Sequence, residues 1–154
     1  MVEEGKKAPA FTLPDDSGAP VSLRDFLGSP VVLYFYPKDS TPGCTQEACD
    51  FRDNFARLQA AGAVVLGLSA DSVASHAKFK TKHELPFRLL SDEKHEALDA
   101  YGVWKQKSLY GKTFMGIERC TFVLDRRGVV RRIFRKVKVK GHVDAVLEAL
   151  QGLD

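Results

Sequence analysis

The sequence predicts an α/β fold, with a central mixed β-sheet flanked by helices and a β-hairpin at the N-terminus. Three observations carry this expectation. Apolar runs of strand length alternate with stretches of helical periodicity through the middle of the chain. The turn "RRG" separates two β-prone runs near the C-terminus, which makes the last two strands an antiparallel pair. The spacer "PDDSGAP" joins two short β-prone pieces near the start, as a hairpin turn would.

Those two pieces are Phe11–Leu13 and Val21–Leu23, and "SLRDFLG" then reads as a short helical turn capped by Ser22. "VVLYFYP", Val31 to Pro37, is apolar, β-branched and aromatic without interruption, the signature of a strand buried on both faces. It ends at Pro37, which has no N–H to give to a ladder. From Thr41 the spacing changes: Cys44, Ala48, Phe51, Phe55 and Leu58 recur at intervals of four and three, the inward stripe of one amphipathic helix that Gly62 stops.

Ala63–Asp71 repeats the buried-strand pattern, and Ser72–Glu84 reads as a polar helix before Pro86. "FRLLSD" is a short third strand, and residues 92 to 101 form a helix ending at Gly102. "WKQKSLYGKTFMG" reads as a long loop punctuated by glycine, leading into the strand "IERCTFVLD". The run "VVRRIFRKVKV" is the final strand, and "HVDAVLEALQGL" closes the chain as an amphipathic helix.

At 154 residues the length predicts a single domain, 1–154. An apolar fraction of 44% with 28% charged residues is ordinary for a soluble protein, and no apolar run approaches the roughly 20 residues that span a bilayer. The opening "MVEEGKKAPAFTL" lacks the apolar core and cleavage site of a secretory signal, so the expected location is the cytoplasm. Eight basic residues crowd Arg126 to Lys140, a pattern that can mark nucleic-acid binding. However, "KVKVK" alternates as an edge strand does, with Val137 and Val139 inward, and the chain's net charge is only +3. Nucleic acid is therefore not the expected partner. His76, His83, His95 and His142 show no metal-ligand spacing and read as surface residues, so no metal is expected.

Two of the three cysteines fall in "TPGCTQEACDF". Three is too few for a disulfide scaffold, and close thiols in a reducing compartment are more often catalytic or metal-binding than structural. With Thr41 as N-cap and Pro42 as the first helical residue, Cys44 lies in the first turn, where open backbone N–H groups and the helix dipole favour the thiolate, the form that reacts. Cys49 is five residues on, about 8.6 Å away and about 140° around an intact helix. A disulfide tolerates about 7 Å between Cα atoms at most, so a bridge between the two requires the helix start to unwind.

"PKDSTPGC" (P-x-x-x-T-x-x-C) resembles the active-site motif of peroxiredoxins, and "TPGCTQEACDFRD", with its C-x-x-x-x-C, resembles the bacterioferritin comigratory protein (PrxQ) subgroup. "YGKTFMGIERCTFVLD" and "FRKVKVKGHVDAVLEAL" extend the resemblance from about Ala8 to the C-terminus. It implies a thioredoxin-like fold and a peroxidase acting on hydrogen peroxide and organic hydroperoxides. By motif, Cys44 is the peroxidatic cysteine, Cys49 the resolving one, and Pro37, Thr41 and Arg119 the remaining site residues. It also implies a thioredoxin-type protein reductant, a monomer and no cofactor. Cys120 stands where the family usually carries Ser or Thr, and is expected to be a small buried residue, with a resolving role left open. A disulfide reductase would need a C-x-x-C pair, which the chain lacks. A redox sensor, oxidised once and then changing shape, is the competing function.

Overall fold

The computed structural model describes residues 2–153. Strands β1 (Thr12–Pro14) and β2 (Pro20–Ser22) form the expected N-terminal hairpin, displaced by one residue from the sequence reading. A 3-10 turn, Leu23–Phe26, follows Ser22; the Asp25 carboxylate accepts from the Ser22 N–H at 3.1 Å, while the Ser22 and Thr12 hydroxyls hydrogen-bond each other across the hairpin. Then come β3 (Val31–Phe35), α1 (Pro42–Asp53), α2 (Phe55–Ala60), β4 (Val64–Ser69), α3 (Val73–His83) and β5 (Arg88–Ser91). The chain continues through α4 (Glu96–Ala100), β6 (Trp104–Leu109), β7 (Lys112–Ile117), β8 (Cys120–Leu124), β9 (Val130–Phe134) and α5 (His142–Gln151).

Five strands form the central sheet in the order β5-β4-β3-β8-β9. β3 pairs parallel with β4 and antiparallel with β8, so it is the central strand and the sheet is mixed. All five β3 residues are buried, because its two faces serve two separate cores. Val31, Leu33 and Phe35 pack with the hairpin, Leu98 and Tyr101. Val32 and Tyr34 pack under Cys44, Ala48 and Phe51 of α1, Phe79 of α3 and Val146 of α5. A strand covered on both sides has to be apolar throughout, which is why "VVLYFYP" was readable.

Three expectations are corrected. The stretch read as one helix from Thr41 is two, broken at Asn54 (ψ 12°), whose side-chain amide donates to the Asp50 carbonyl instead of letting the helix continue. The stretch read as a loop is the β6–β7 hairpin, closed by Tyr110 (φ 52°) and Gly111 (φ 77°). Two positive φ angles suit a tight hairpin turn, yet Tyr at the first position is an unusual choice there, and both strands are mostly exposed, so no apolar alternation marks them. Finally, "KVKVK" is no edge strand. β9 ends at Phe134, Lys136 turns left-handed (φ 49°), and the Val137 N–H donates to the Arg119 carbonyl at 2.9 Å. Its alternation of half-buried valines and exposed lysines is real, but it belongs to a segment held against residue 119.

Gly67 shows how tightly β3 and β4 meet. A Cβ there would lie 2.8 Å from Leu89 Cδ2 and 2.9 Å from Tyr34 Cζ, so the Tyr34 ring lies where a larger residue would stand. Gly67→Ala is expected to cost roughly 1–3 kcal/mol by overpacking, read as a lower urea midpoint with an unchanged slope.

Candidate active site

β3 delivers the chain to Pro37 at the carboxyl edge of the parallel strands, and the loop after it is fastened before α1 begins. Buried Asp39 is the fastening point. Its carboxylate accepts from the Tyr36 hydroxyl (2.6 Å), the Ser75 hydroxyl (2.8 Å) and His76 Nδ1 (2.7 Å), while its own N–H donates to Asp71 (2.9 Å). Burial would raise the Asp39 carboxyl, but the hydrogen bond and charge of His76, helped by Tyr36 and Ser75, hold it below its ordinary range. His76 and His142 are buried, against the expectation of surface histidines. Asp39, Asp71 and His76 offer ligand atoms within 4.8 Å of one another. His76 Nε2, however, already faces the Leu90 carbonyl and Asp71 accepts from Ser69, so the cluster is a closed polar network bracing the loop.

Ser40 (φ 63°) then turns the chain into α1. Thr41 and Pro42 occupy the N-cap and first helical positions, as the sequence implies. The Thr41 hydroxyl does not cap the helix: it donates backwards to the Lys38 carbonyl at 2.8 Å. The first intrahelical bond runs from the Thr45 N–H to the Thr41 carbonyl, leaving the N–H groups of Gly43 and Cys44 ahead of the ladder. Cys44 is 1% exposed and free.

Arg119, in the short link between β7 and β8, reaches this helix start. Its Nη2 donates to Cys44 Sγ at 3.4 Å and its Nη1 to Glu47 Oε1 at 2.6 Å. Gly43 permits the approach, since a Cβ there would lie 3.1 Å from Arg119 Nη2. Glu47 is fully buried, and its carboxyl is pushed up to about 7 by burial, against the pull of Arg119. Glu47 was not among the residues expected at the site. Its position three residues after Cys44 was the available signal, an acid on the inward stripe of an amphipathic helix. His142, at the start of α5, is held near 4 by burial and then by Arg119, and its Nε2 pairs with the Thr121 hydroxyl at 2.8 Å.

The structure therefore brings Thr41, Cys44 and Arg119 to one place, with Pro37 half-buried at the end of β3. Cys49 lies on the same unbroken helix, half-buried and free, turned away from Cys44 as the helix arithmetic requires. Cys120 is buried as expected; its thiol donates to Glu118 at 3.2 Å and is pushed up to about 12 by burial and that carboxylate. Alkylation of the folded, reduced protein at neutral pH is accordingly expected to leave Cys120 unlabelled while Cys49 reacts, with peptide mass spectrometry as the readout. Labelling of Cys120 at a comparable rate would contradict this burial.

The profile of the AhpC/TSA family matches residues 4–133. The chain belongs to the AhpC/TSA family. Among relatives of this AhpC/TSA protein, the putative peroxiredoxin Bcp of Coxiella burnetii is 54% identical over 149 residues, covering 97% of this chain and 99% of the other. Peroxiredoxin Bcp of Bacillus subtilis is 51% identical over 152 residues, covering 99% and 97%. The solved structure of the bacterioferritin comigratory protein of Xanthomonas campestris superposes with a TM-score of 0.90 at 44% identity, covering 97% of this chain and 98% of that one. The protein is thus a peroxiredoxin of the Bcp/PrxQ kind, a thiol peroxidase on a thioredoxin-like fold. No helix among the described residues is long and apolar enough to cross a membrane.

Proposed function

We propose that this peroxiredoxin reduces hydrogen peroxide and organic hydroperoxides through Cys44, that Cys49 closes a disulfide with it, and that a thioredoxin-type protein reopens the bridge. The observation that carries this reading is the Arg119 guanidinium 3.4 Å from a thiol in the first turn of a helix. The thiolate attacks one peroxide oxygen; the O–O bond breaks, Cys44 becomes a sulfenic acid, and water or an alcohol leaves. Arg119 lies where it can hold both the thiolate and the charge growing on the departing oxygen. Because the Thr41 proton is given to Lys38, the hydroxyl oxygen is left to accept from the peroxide O–H. Pro37 shields the site from water.

A thiol 1% exposed suits hydrogen peroxide or the tip of a slender hydroperoxide, and the Xanthomonas campestris relative is described for its alkyl peroxide reduction activity. Resolution requires the first turns of α1 to unwind, since its two cysteines cannot meet across an intact helix. The cycle needs no metal or organic cofactor. The enzyme works as a single-domain monomer, residues 1–154, in the cytoplasm, where a dithiol reductant is at hand.

The test is turnover with a thioredoxin, its reductase and excess hydrogen peroxide. Wild type is expected to consume many equivalents. Cys49→Ser should keep its first oxidation within about twofold but lose about tenfold or more of the reductant-driven turnover. Oxidation that halts after one equivalent in the wild type would instead favour the redox sensor.

A further inference from the structure

Cys44 and Glu47 stand three residues apart on α1, facing the same guanidinium. Arg119 is one cation offered to two groups that can each be an anion, in a place where Glu47 is fully buried and Cys44 1% exposed. A desolvated site with one positive charge holds one negative charge readily and a second at a cost. The two carboxyl oxygens also differ. Oε1 is taken by Arg119, whereas buried Oε2 makes no hydrogen bond among the described residues. A proton on Oε2 would therefore leave the Arg119 contact in place.

We propose that Glu47 takes up the proton Cys44 releases, so that the charge of Arg119 passes from the carboxylate to the thiolate as the thiolate forms. The inference rests on Cys44 reacting as the peroxidatic thiolate. Cys44–SH with Glu47–COO⁻ becomes Cys44–S⁻ with Glu47–COOH, and the sum of charges with Arg119 is zero in both states. When the thiolate pair forms the S–O bond and the O–O bond breaks, the attacked oxygen keeps its hydrogen in the sulfenic acid. The departing oxygen needs one proton, and Glu47 has one to release. Thiol plus hydroperoxide thus gives sulfenic acid plus alcohol, with Glu47 again a carboxylate.

The surroundings leave Glu47 as the group that can take this role. Burial, with Asp50 one turn along α1, brings its carboxyl up to about 7, close to working pH. Tyr34, facing from β3, is raised well above its ordinary range by burial and the Glu47 charge and stays neutral. His142, facing from α5, is held near 4 and is also neutral.

Two titrations of the reduced full-length protein decide the matter. In the first, thiolate ultraviolet absorbance, taken as the difference from the matching Cys44→Ser protein, is followed against pH in wild type and Glu47→Gln. Removing a competing anion should move the midpoint down by about one pH unit. Loss of a purely structural anchor would leave it in place or move it up. In the second, isotope-edited infrared spectroscopy follows the protonated Glu47 carboxyl in wild type and Cys44→Ser. Coupling is reciprocal, so the Glu47 midpoint should fall in Cys44→Ser by a similar amount. This second pair keeps Glu47 intact and decides alone if Glu47→Gln fails to fold. Midpoints that ignore the partner's substitution, with wild-type peroxide turnover normal, would overturn the coupling only. Absent turnover in the wild type would overturn the peroxidase reading beneath it.

Discussion

Replacing Cys44 by Ser is expected to abolish peroxide turnover, by about a thousandfold or more, because the hydroxyl has neither the nucleophilicity nor the accessible anion of the thiol. The fold should tolerate the change. Ser is close to Cys in size, and the Arg119–Glu47 ion pair that pins the helix start at 2.6 Å does not pass through the sulfur. Unchanged circular dichroism with no consumption of peroxide is therefore the expected result, and retained turnover would place the chemistry elsewhere. Cys120 could not substitute, since its thiol is buried and pushed up to about 12.

Arg119→Ala should have the second largest effect, and for two separable reasons. The rate of Cys44 oxidation loses the donor 3.4 Å from the sulfur, a type of loss that costs about a hundred- to a thousandfold. Stability falls as well, because the fully buried Glu47 carboxylate is left without its cation. Removing one partner of a buried pair costs about 3–5 kcal/mol when the other stays charged. Glu47 has an escape, since its carboxyl already lies near 7 and would rise further without Arg119. A carboxyl raised in the folded state binds its proton more tightly there than in the unfolded chain, so its stabilising contribution is present at low pH and is lost as pH rises through the folded value. Arg119→Ala should therefore be destabilised more at pH 8 than at pH 5, as read by urea unfolding at both. A loss relative to wild type that is the same at both pH values would mean that the folded Glu47 carboxyl binds its proton no more tightly without Arg119. Arg119→Lys, which keeps the charge but not the two-pronged donor, should fall between wild type and Arg119→Ala in rate.

What could be read from the sequence follows a physical division. The buried strand β3 and the start of α1 are encoded locally: an unbroken apolar run has to be covered on both faces, and Thr-Pro followed by a 4-3 stripe is a helix beginning. Cys44 in the first turn was legible for that reason. Arg119 lies 75 residues away in sequence and no local rule places it beside Cys44; only the family resemblance did. Glu47 was missed because an isolated acid in a helix normally reads as solvated, and its burial depends on that distant arginine. The Asp39–His76 brace was missed for the same reason, as it joins residues 36–39, residues 69–76 and the Leu90 carbonyl, which lie far apart in sequence. The β6–β7 hairpin and "KVKVK" failed in opposite directions. In the hairpin, exposed strands carried no alternation to read. In "KVKVK", alternation was present but a left-handed Lys136 bends the chain away from the sheet, toward Arg119.

In the proposed two-thiol cycle α1 must open for Cys49 to reach Cys44. Its most direct test treats the fully reduced protein with one equivalent of hydrogen peroxide and maps all three thiols by peptide mass spectrometry, with and without a sulfenic-acid trap. Trapping at Cys44 is expected when the reagent is present, and a Cys44–Cys49 bridge when it is absent. A bridge to Cys120, or three thiols that survive for minutes, would contradict it.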